Sequence, residues 1–157
     1  MNDLTGDLDY PMVIVTAAAH GERSGCLVGF HTQCSIKPMQ WAVWISKLNH
    51  THPIATESPS LAIHFPSADD EDLAELFGAE TGDDVDKFEG LAWTEGPDGV
   101  PMIDRLLNRI VGRTAGHYDA GGDHECFVID VNEVEHARVL RQLGFQDVRD
   151  LEAGHPA

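Results

Sequence analysis

The apolar positions of the chain fall into short runs separated by turn-forming residues, the pattern of strands with helices inserted between them. Residues 12–19 open with β-branched side chains after Tyr10-Pro11 and end at Ala-His-Gly, which predicts a buried strand running into a turn. Residues 25–36 carry too much Gly and Thr for a helix. They predict an extended segment with a break near Gly29, closed by Lys37-Pro38. Residues 41–47 alternate bulky and small side chains and predict a core strand, and residues 60–65 a shorter one stopped by Pro66.

One helix has clear boundaries. Ser67 followed three residues later by Asp70 fits a capping box, and Asp69, Asp70, Glu71 and Asp72 suit the positive end of a helix dipole. Leu73, Leu76 and Phe77 supply its apolar stripe, and Gly78 or Gly82 its end. A shorter helix is predicted around residues 85–88, and another over 134–143. Residues 106–114 permit either strand or helix. Residues 125–131 read as a strand opened by the turn Ala120-Gly121-Gly122-Asp123. Strands separated by turns, without regular strand–helix alternation, predict an α+β, mainly β protein built on an antiparallel barrel.

Composition narrows the partners. The 157 residues hold 27 Asp plus Glu against 10 Lys plus Arg, a formal charge of −17, enough length for one domain with a core. Nucleic acid and anionic membrane surfaces are bound through clustered cations, which this chain lacks. No apolar run approaches the roughly 18 residues of a membrane span, and the acidic N-terminus predicts no secretory signal. Cys26, Cys34 and Cys126 are odd in number and show no CxxC spacing, which argues against a disulfide framework or structural zinc and for a cytoplasmic location.

Three segments carry candidate chemistry. In residues 24–38, Gly25 and Gly29 would let backbone approach a planar ligand, with Thr32, Gln33 and Ser35 bringing polar groups to the far end. The plain alternative is a glycine-containing strand pair. Directly after the strand at 41–45, Ser46, Lys47, Asn49 and Thr51 place a cation, an amide and hydroxyls where a phosphate-binding turn would lead into a short helix. The alternative there is a solvated strand-to-loop junction. Gly122-Asp123-His124-Glu125 delivers a histidine to the start of a strand, in either a catalytic or a structural role. A metal reading also exists: His50 and His52, on a strand, would face one side together, with Asp123, His124 or Cys126 nearby.

In their order and spacing these segments resemble the flavin reductase family, the FMN-binding split barrel. The matching positions are Val15-Thr16, Gly25 through Pro38, Ser46 through Thr51, Leu73-Ala74 with Phe77-Gly78, Asp86-Lys87-Phe88, and Gly122-Asp123-His124, covering residues 10–134. The resemblance implies a six-stranded antiparallel Greek-key split barrel with a few short helices, here a domain over residues 8–136 followed by a tail over 137–157. It implies a homodimer that reduces FMN or FAD with NADH or NADPH by hydride transfer to flavin N5, and an oxygenase as a receiver of the reduced flavin. A flavin-binding electron carrier without reductase activity would share every motif. Carried over residue by residue, the resemblance assigns Gly25, Cys26, Leu27, Val28 and Gly29 to the ring. Thr32, Gln33, Cys34 and Ser35 go to the ribityl or phosphate end. Ser46, Lys47, Asn49 and Thr51 surround the phosphate, Lys87 is a second cation, and His124 stands near the ring and nicotinamide. Leu27 and Phe30 stand where many members have Thr and Ser, and Pro38-Met39 where they have two prolines, so ring contacts at 27 and 30 would be through backbone.

Overall fold

The computed structural model describes residues 3–79 and 86–151. From the N-terminus come α1 (Asp3–Asp7), β1 (Val13–Ala19), β2 (Glu22–Val28), β3 (His31–Ile36), β4 (Met39–Ser46) and α2 (Thr51–Glu57). There follow β5 (Ser60–His64), α3 (Glu71–Ala79), β6 (Trp93–Glu95), β7 (Pro101–Ile103), β8 (Arg109–Tyr118), β9 (His124–Glu135) and α4 (Phe145–Val148). Seven strands form one antiparallel sheet in the order β2-β1-β5-β8-β9-β4-β3, and β6 and β7 form a separate hairpin. The architecture is the expected mainly antiparallel one with a few short helices; the strand count is seven plus two rather than six.

The sheet has to curl. β2 and β3 lie at its opposite edges yet are joined by Gly29 and Phe30 alone. Laid flat, seven strands would separate those edges by about 29 Å. A link from residue 28 to residue 31 reaches only about 10 Å. The edges are therefore drawn together at this link, where Trp44 N donates to Phe30 O at 2.9 Å and carries the β3–β4 pairing one residue beyond β3.

Alternation along the strands then fills the interior. Val13, Val15 and Ala17 of β1 point inward with Val43, Ile45, Leu61, Ile63, Phe127 and Ile129, and α2 closes one end with Ile54 and Ala55. On the outer face of β1, Ile14 packs with Leu73 and Phe77 of α3, Phe88 and Ile103. Each such side chain contributes roughly 1.5–3 kcal/mol on burial. The β1–β2 turn uses His20 and Gly21, both at positive φ, as a two-residue hairpin of this hand requires. Ser67 and Asp70 form the expected reciprocal cap, on a single 3₁₀ turn (Ala68–Asp70) that leads into α3.

Two predicted helices differ. Residues 134–143 form none: β9 runs on to Glu135 because β8 extends far enough to pair with it, Arg109 opposite Glu135. Of the helix predicted around 85–88, Val85 lies outside the described residues and Lys87 to Gly90 make a turn. Residues 106–114 resolve to strand from Arg109 onward. The segment expected as a tail is tied into the body as far as residue 151. Met12 N donates to Leu143 O at 2.8 Å, Leu143 N to Pro66 O at 3.1 Å, and Leu143 is fully buried. No helix among the described residues is long and apolar enough to cross a membrane.

His64 is the buried titratable group that holds β1, β5 and β7 in register. Its Nδ1 donates to Ile14 O at 3.1 Å and its Nε2 accepts from Ile103 N at 3.0 Å, so the ring is neutral in a fixed tautomer. Burial pushes its pKa down to about 4, with the charge of Arg109 acting in the same sense against the bond to Ile14. The unfolded chain takes up this proton near pH 6.5. Folding stability is therefore lost as pH falls from 6.5 toward 4, by up to about 3 kcal/mol from this group. Thermal melts across that range should show Tm falling with pH in the natural protein. His64→Gln should start from a lower Tm at pH 8 and show a shallower fall.

Candidate active site

The barrel seam opens into a cleft of about 360 Å³. One wall is β2 and the link that follows it: Cys26, Leu27, Val28, Gly29 and Phe30. A second wall is the end of β4, with Trp44, Ile45 and Ser46, continued by Asn49 and by His124 at the start of β9. Gly29 packs closely, since a Cβ there would lie 2.8 Å from Tyr10 Cε2 and 3.3 Å from Met12 Sδ and would push these side chains aside. Phe30 then emerges with 52% of its surface exposed. An aromatic ring left that open beside a cleft is a surface for another flat group.

His124 is held in one orientation. It pairs with Ser46 across β4–β9, and its Nδ1 donates to Asp123 Oδ1 at 2.7 Å. The same hydrogen bond holds the Asp123 carboxyl below its ordinary range. Its ring centre is 5.1 Å from that of Phe30. With Nδ1 so occupied, Nε2 is the nitrogen left for a ligand in the cleft. The next residue, Glu125, points to the other face of β9, where its carboxylate accepts from His52 Nε2 at 2.8 Å and from His117 Nδ1.

Of the residues expected at the site, Cys26, Leu27, Val28, Gly29, Ser46, Asn49 and His124 line the cleft. Thr32, Gln33, Cys34 and Ser35 do not. They lie on β3 beyond the seam, bonding locally: Thr32 Oγ1 to Gln33 O at 3.1 Å, Gln33 Nε2 to Ser35 O at 3.2 Å, Ser35 Oγ to Pro38 O at 2.6 Å. Lys47 stands beside the cleft, its Nζ donating to the exposed Asp119 at 2.7 Å.

Three further residues expected at the site are absent from the cleft lining and have packing or hydrogen-bond partners elsewhere. Gly25 faces α3, where a Cβ would meet Phe77 Cε1 at 2.9 Å, so the missing side chain makes room for a helix. Lys87 is buried, donating to Gly25 O at 3.2 Å and Phe77 O at 3.0 Å, which ties β2 to the end of α3. Thr51 is fully buried at the start of α2, its hydroxyl 2.8 Å from that of Ser24. The metal reading fails on geometry. His50 and His52 sit at the start of α2, not on a strand, and diverge to Glu22 on β2 and Glu125 on β9. Among the described residues no group of three or more His, Cys, Asp or Glu is placed to hold a metal ion.

Tyr10, Met12, Phe145, Val148, Arg149 and Leu151 also line the cleft, and sequence reasoning missed them. Tyr10 stacks on Phe145 at 4.9 Å, so a row of rings runs Phe145, Tyr10, Phe30, His124. The Pro11–Gly144 bridge that brings the C-terminal segment here leaves no pattern in the sequence.

The cleft offers aromatic and backbone surface, one oriented imidazole and a polar end. Its one thiol, Cys26, is pushed up to about 11 by burial and stays protonated, so it is no nucleophile. Such a site binds a planar ring and leaves the reactive chemistry to a cofactor. The residues present fit a flavin ring: the exposed Phe30 and the backbone of the β2–β3 link give a flat face and an edge of amides.

Fold and cleft together define an antiparallel split barrel with an open cleft at its seam. The model of the family described as flavin reductase like domain matches residues 5–150, and the chain belongs to that family. It is 24% identical over 148 residues to a ferric-chelate reductase (NAD(P)H) of Archaeoglobus fulgidus, covering 94% of this chain and 88% of the relative. It is 31% identical over 127 residues to the FMN reductase (NADH) SmoA of Agrobacterium fabrum, covering 80% of this chain and 69% of the relative. The solved NADH:FAD oxidoreductase SgcE6 of Streptomyces globisporus C-1027 shares the fold at TM-score 0.80 and 24% identity, over 90% of this chain and 83% of that one.

The placement of Thr51 has a measurable consequence. Thr51→Ala leaves the buried Ser24 hydroxyl without this partner and should lower folding stability by about 1–3 kcal/mol in chemical denaturation. FMN affinity per folded molecule should stay within about twofold, while a phosphate ligand at this position would lose far more. Thr51→Ser should restore the stability.

Proposed function

We propose that the protein is an NAD(P)H:flavin oxidoreductase that reduces FMN or FAD in the cleft at the barrel seam. The observation that carries this reading is that cleft, floored by the β2–β3 link and flanked by Phe30 and His124, in a chain that belongs to the flavin reductase family along nearly its whole length. The bound flavin supplies the hydride-accepting atom, N5, so the protein needs no nucleophile.

What remains is binding, orientation and exclusion of water. The backbone of Cys26, Leu27, Val28 and Gly29 would hold the ring edge, and those N–H groups that β2 does not spend on its pairing with β1 would suit negative charge on a bound flavin. Backbone must do this because Leu27 and Phe30 have no hydroxyl. Phe30 and Trp44 give the ring its apolar surroundings. Ser46 and Asn49 form the polar end, and Lys47 reaches a phosphate by exchanging its exposed partner Asp119. His124 orients the reacting rings through Nε2, with Asp123 holding the imidazole from behind.

The protein acts as a homodimer in this reading, because Phe30, Ile36 and Tyr118 are 52%, 85% and 61% exposed and need cover. Reduced flavin passes to an oxygenase. Three free cysteines, Cys26, Cys34 and Cys126, support a cytoplasmic location. Light scattering on flavin-loaded protein should give about twice the 17.2 kDa chain mass; a monomer at micromolar concentration would remove the dimer.

The activity is tested by adding FMN and NADH or NADPH to the purified protein without oxygen and following flavin bleaching by stopped flow. Rapid bleaching is expected, flavin binding without bleaching would make the protein a carrier, and no binding would refute the reading. His124→Ala should slow bleaching about ten- to hundredfold while flavin affinity changes little. An unaltered rate would remove His124 from the site.

A further inference from the structure

The C-terminal segment adds to the cleft something that its other walls lack. Of the side chains lining it, Arg149 alone carries a permanent charge. In a chain of formal charge −17, five of the ten Lys and Arg side chains are committed to carboxylates. Arg23 meets Asp86, Lys47 meets Asp119, Arg105 meets Asp70 and Asp72, Arg109 meets Glu135, and Arg113 meets Asp98. Arg149 is different: its Nη1 donates to the neutral Gln146 Oε1 at 2.8 Å.

That contact is itself fixed. Gln146 Nε2 donates to Leu8 O at 2.8 Å and Gly6 O at 3.1 Å, and Gln146 N to Asp9 Oδ1 at 3.0 Å. Phe145 N donates to Tyr10 O at 2.8 Å, and the two rings stack. The segment is therefore anchored just before Arg149, which is exposed and whose guanidinium is held by an amide rather than by a carboxylate. A planar fork of N–H donors held in this way matches a phosphate.

We propose that Arg149 receives a nucleotide phosphate at the open end of the cleft, with Gln146 positioning its guanidinium. The inference rests on the flavin reductase reading, which brings two phosphate sources to this site: the phosphate of the flavin nucleotide and the diphosphate of the nicotinamide dinucleotide. Arg149 recognises the anion, and the aromatic row beside it carries the flat groups.

Equilibrium titration separates the sources. Kd is measured by calorimetry for FMN and riboflavin on the protein without added ligand, and for NAD⁺ and nicotinamide riboside on the riboflavin-loaded protein. Arg149→Gln should weaken one phosphate-bearing ligand about ten- to hundredfold and leave its phosphate-free partner within twofold. Loss confined to FMN assigns the flavin phosphate, and loss confined to NAD⁺ assigns the dinucleotide. Arg149→Lys should recover part of the loss, and Gln146→Ala should show a smaller loss for the same ligand. An exposed arginine is expected to leave Tm unchanged on substitution. Equal effects on phosphate-bearing and phosphate-free ligands, or none, would overturn the proposal while leaving the flavin reading intact. If the natural protein binds neither FMN nor riboflavin, both fall.

Discussion

A two-residue connection between opposite sheet edges is the constraint from which the site follows. Gly29 and Phe30 must carry the chain from β2 to β3, so the seven-stranded sheet closes and its two edge strands come together. Closure is incomplete there: β2 and β3 form no ladder with each other, and the one bond made by Phe30 O, from Trp44 N, belongs to the β3–β4 hairpin. The same stretch therefore presents backbone, an exposed ring and a crowded glycine at one place. A ligand seated at the seam meets these groups because the topology puts them nowhere else.

Three residues expected at the ligand, Gly25, Lys87 and Thr51, brace the strand that forms this seam. Gly25 lets Phe77 approach β2, Lys87 bonds both Gly25 O and Phe77 O, and Thr51 pairs with Ser24 on the same strand. All three act on residues 24–25, just before the stretch that lines the cleft. Burying an ammonium is costly unless it is well hydrogen-bonded, and two carbonyls with the Phe77 ring centre 5.8 Å away supply that environment. A residue chosen for its match to a family motif can thus support a binding strand as readily as touch its ligand.

What could be read from the sequence was whatever a local rule enforces. The break at Gly29, the Ala19-His20-Gly21 turn, the Ser67 cap and the turn before His124 are each written in two to four neighbouring residues, and each stands where expected. Direction was not legible. Gly25 and Gly29 look alike in the sequence, yet one opposes Thr16 beneath α3 and the other lies against Tyr10. Lys87 and Lys47 look like equivalent cations, and only burial separates them. The helix expected over 134–143 gave way because pairing with β8 was open to the first two of its residues. The C-terminal wall was illegible for a different reason: its contacts join residues more than a hundred positions apart, and those from Phe145 N to Tyr10 O and from Met12 N to Leu143 O are backbone bonds that depend on no particular side chain.

The orientation of His124 shows how a buried charge can govern a site that it does not touch. Residues along β9 alternate, so Glu125, Phe127 and Ile129 turn inward and His124 outward. Phe127 and Ile129 set this register through the core, and Glu125 completes it at the barrel end. Burial raises the pKa of its carboxyl, but hydrogen bonds from His117 and His52 outweigh this and keep it low. The carboxylate is thus ionised and fastened to α2 on one side and β8 on the other. A one-residue slip would carry it to the other face and cost both bonds, along with the burial of Phe127. The same slip would turn His124 into the barrel. The inward demand of Glu125 and the outward exposure of His124 are therefore one structural fact, enforced by the period of the strand.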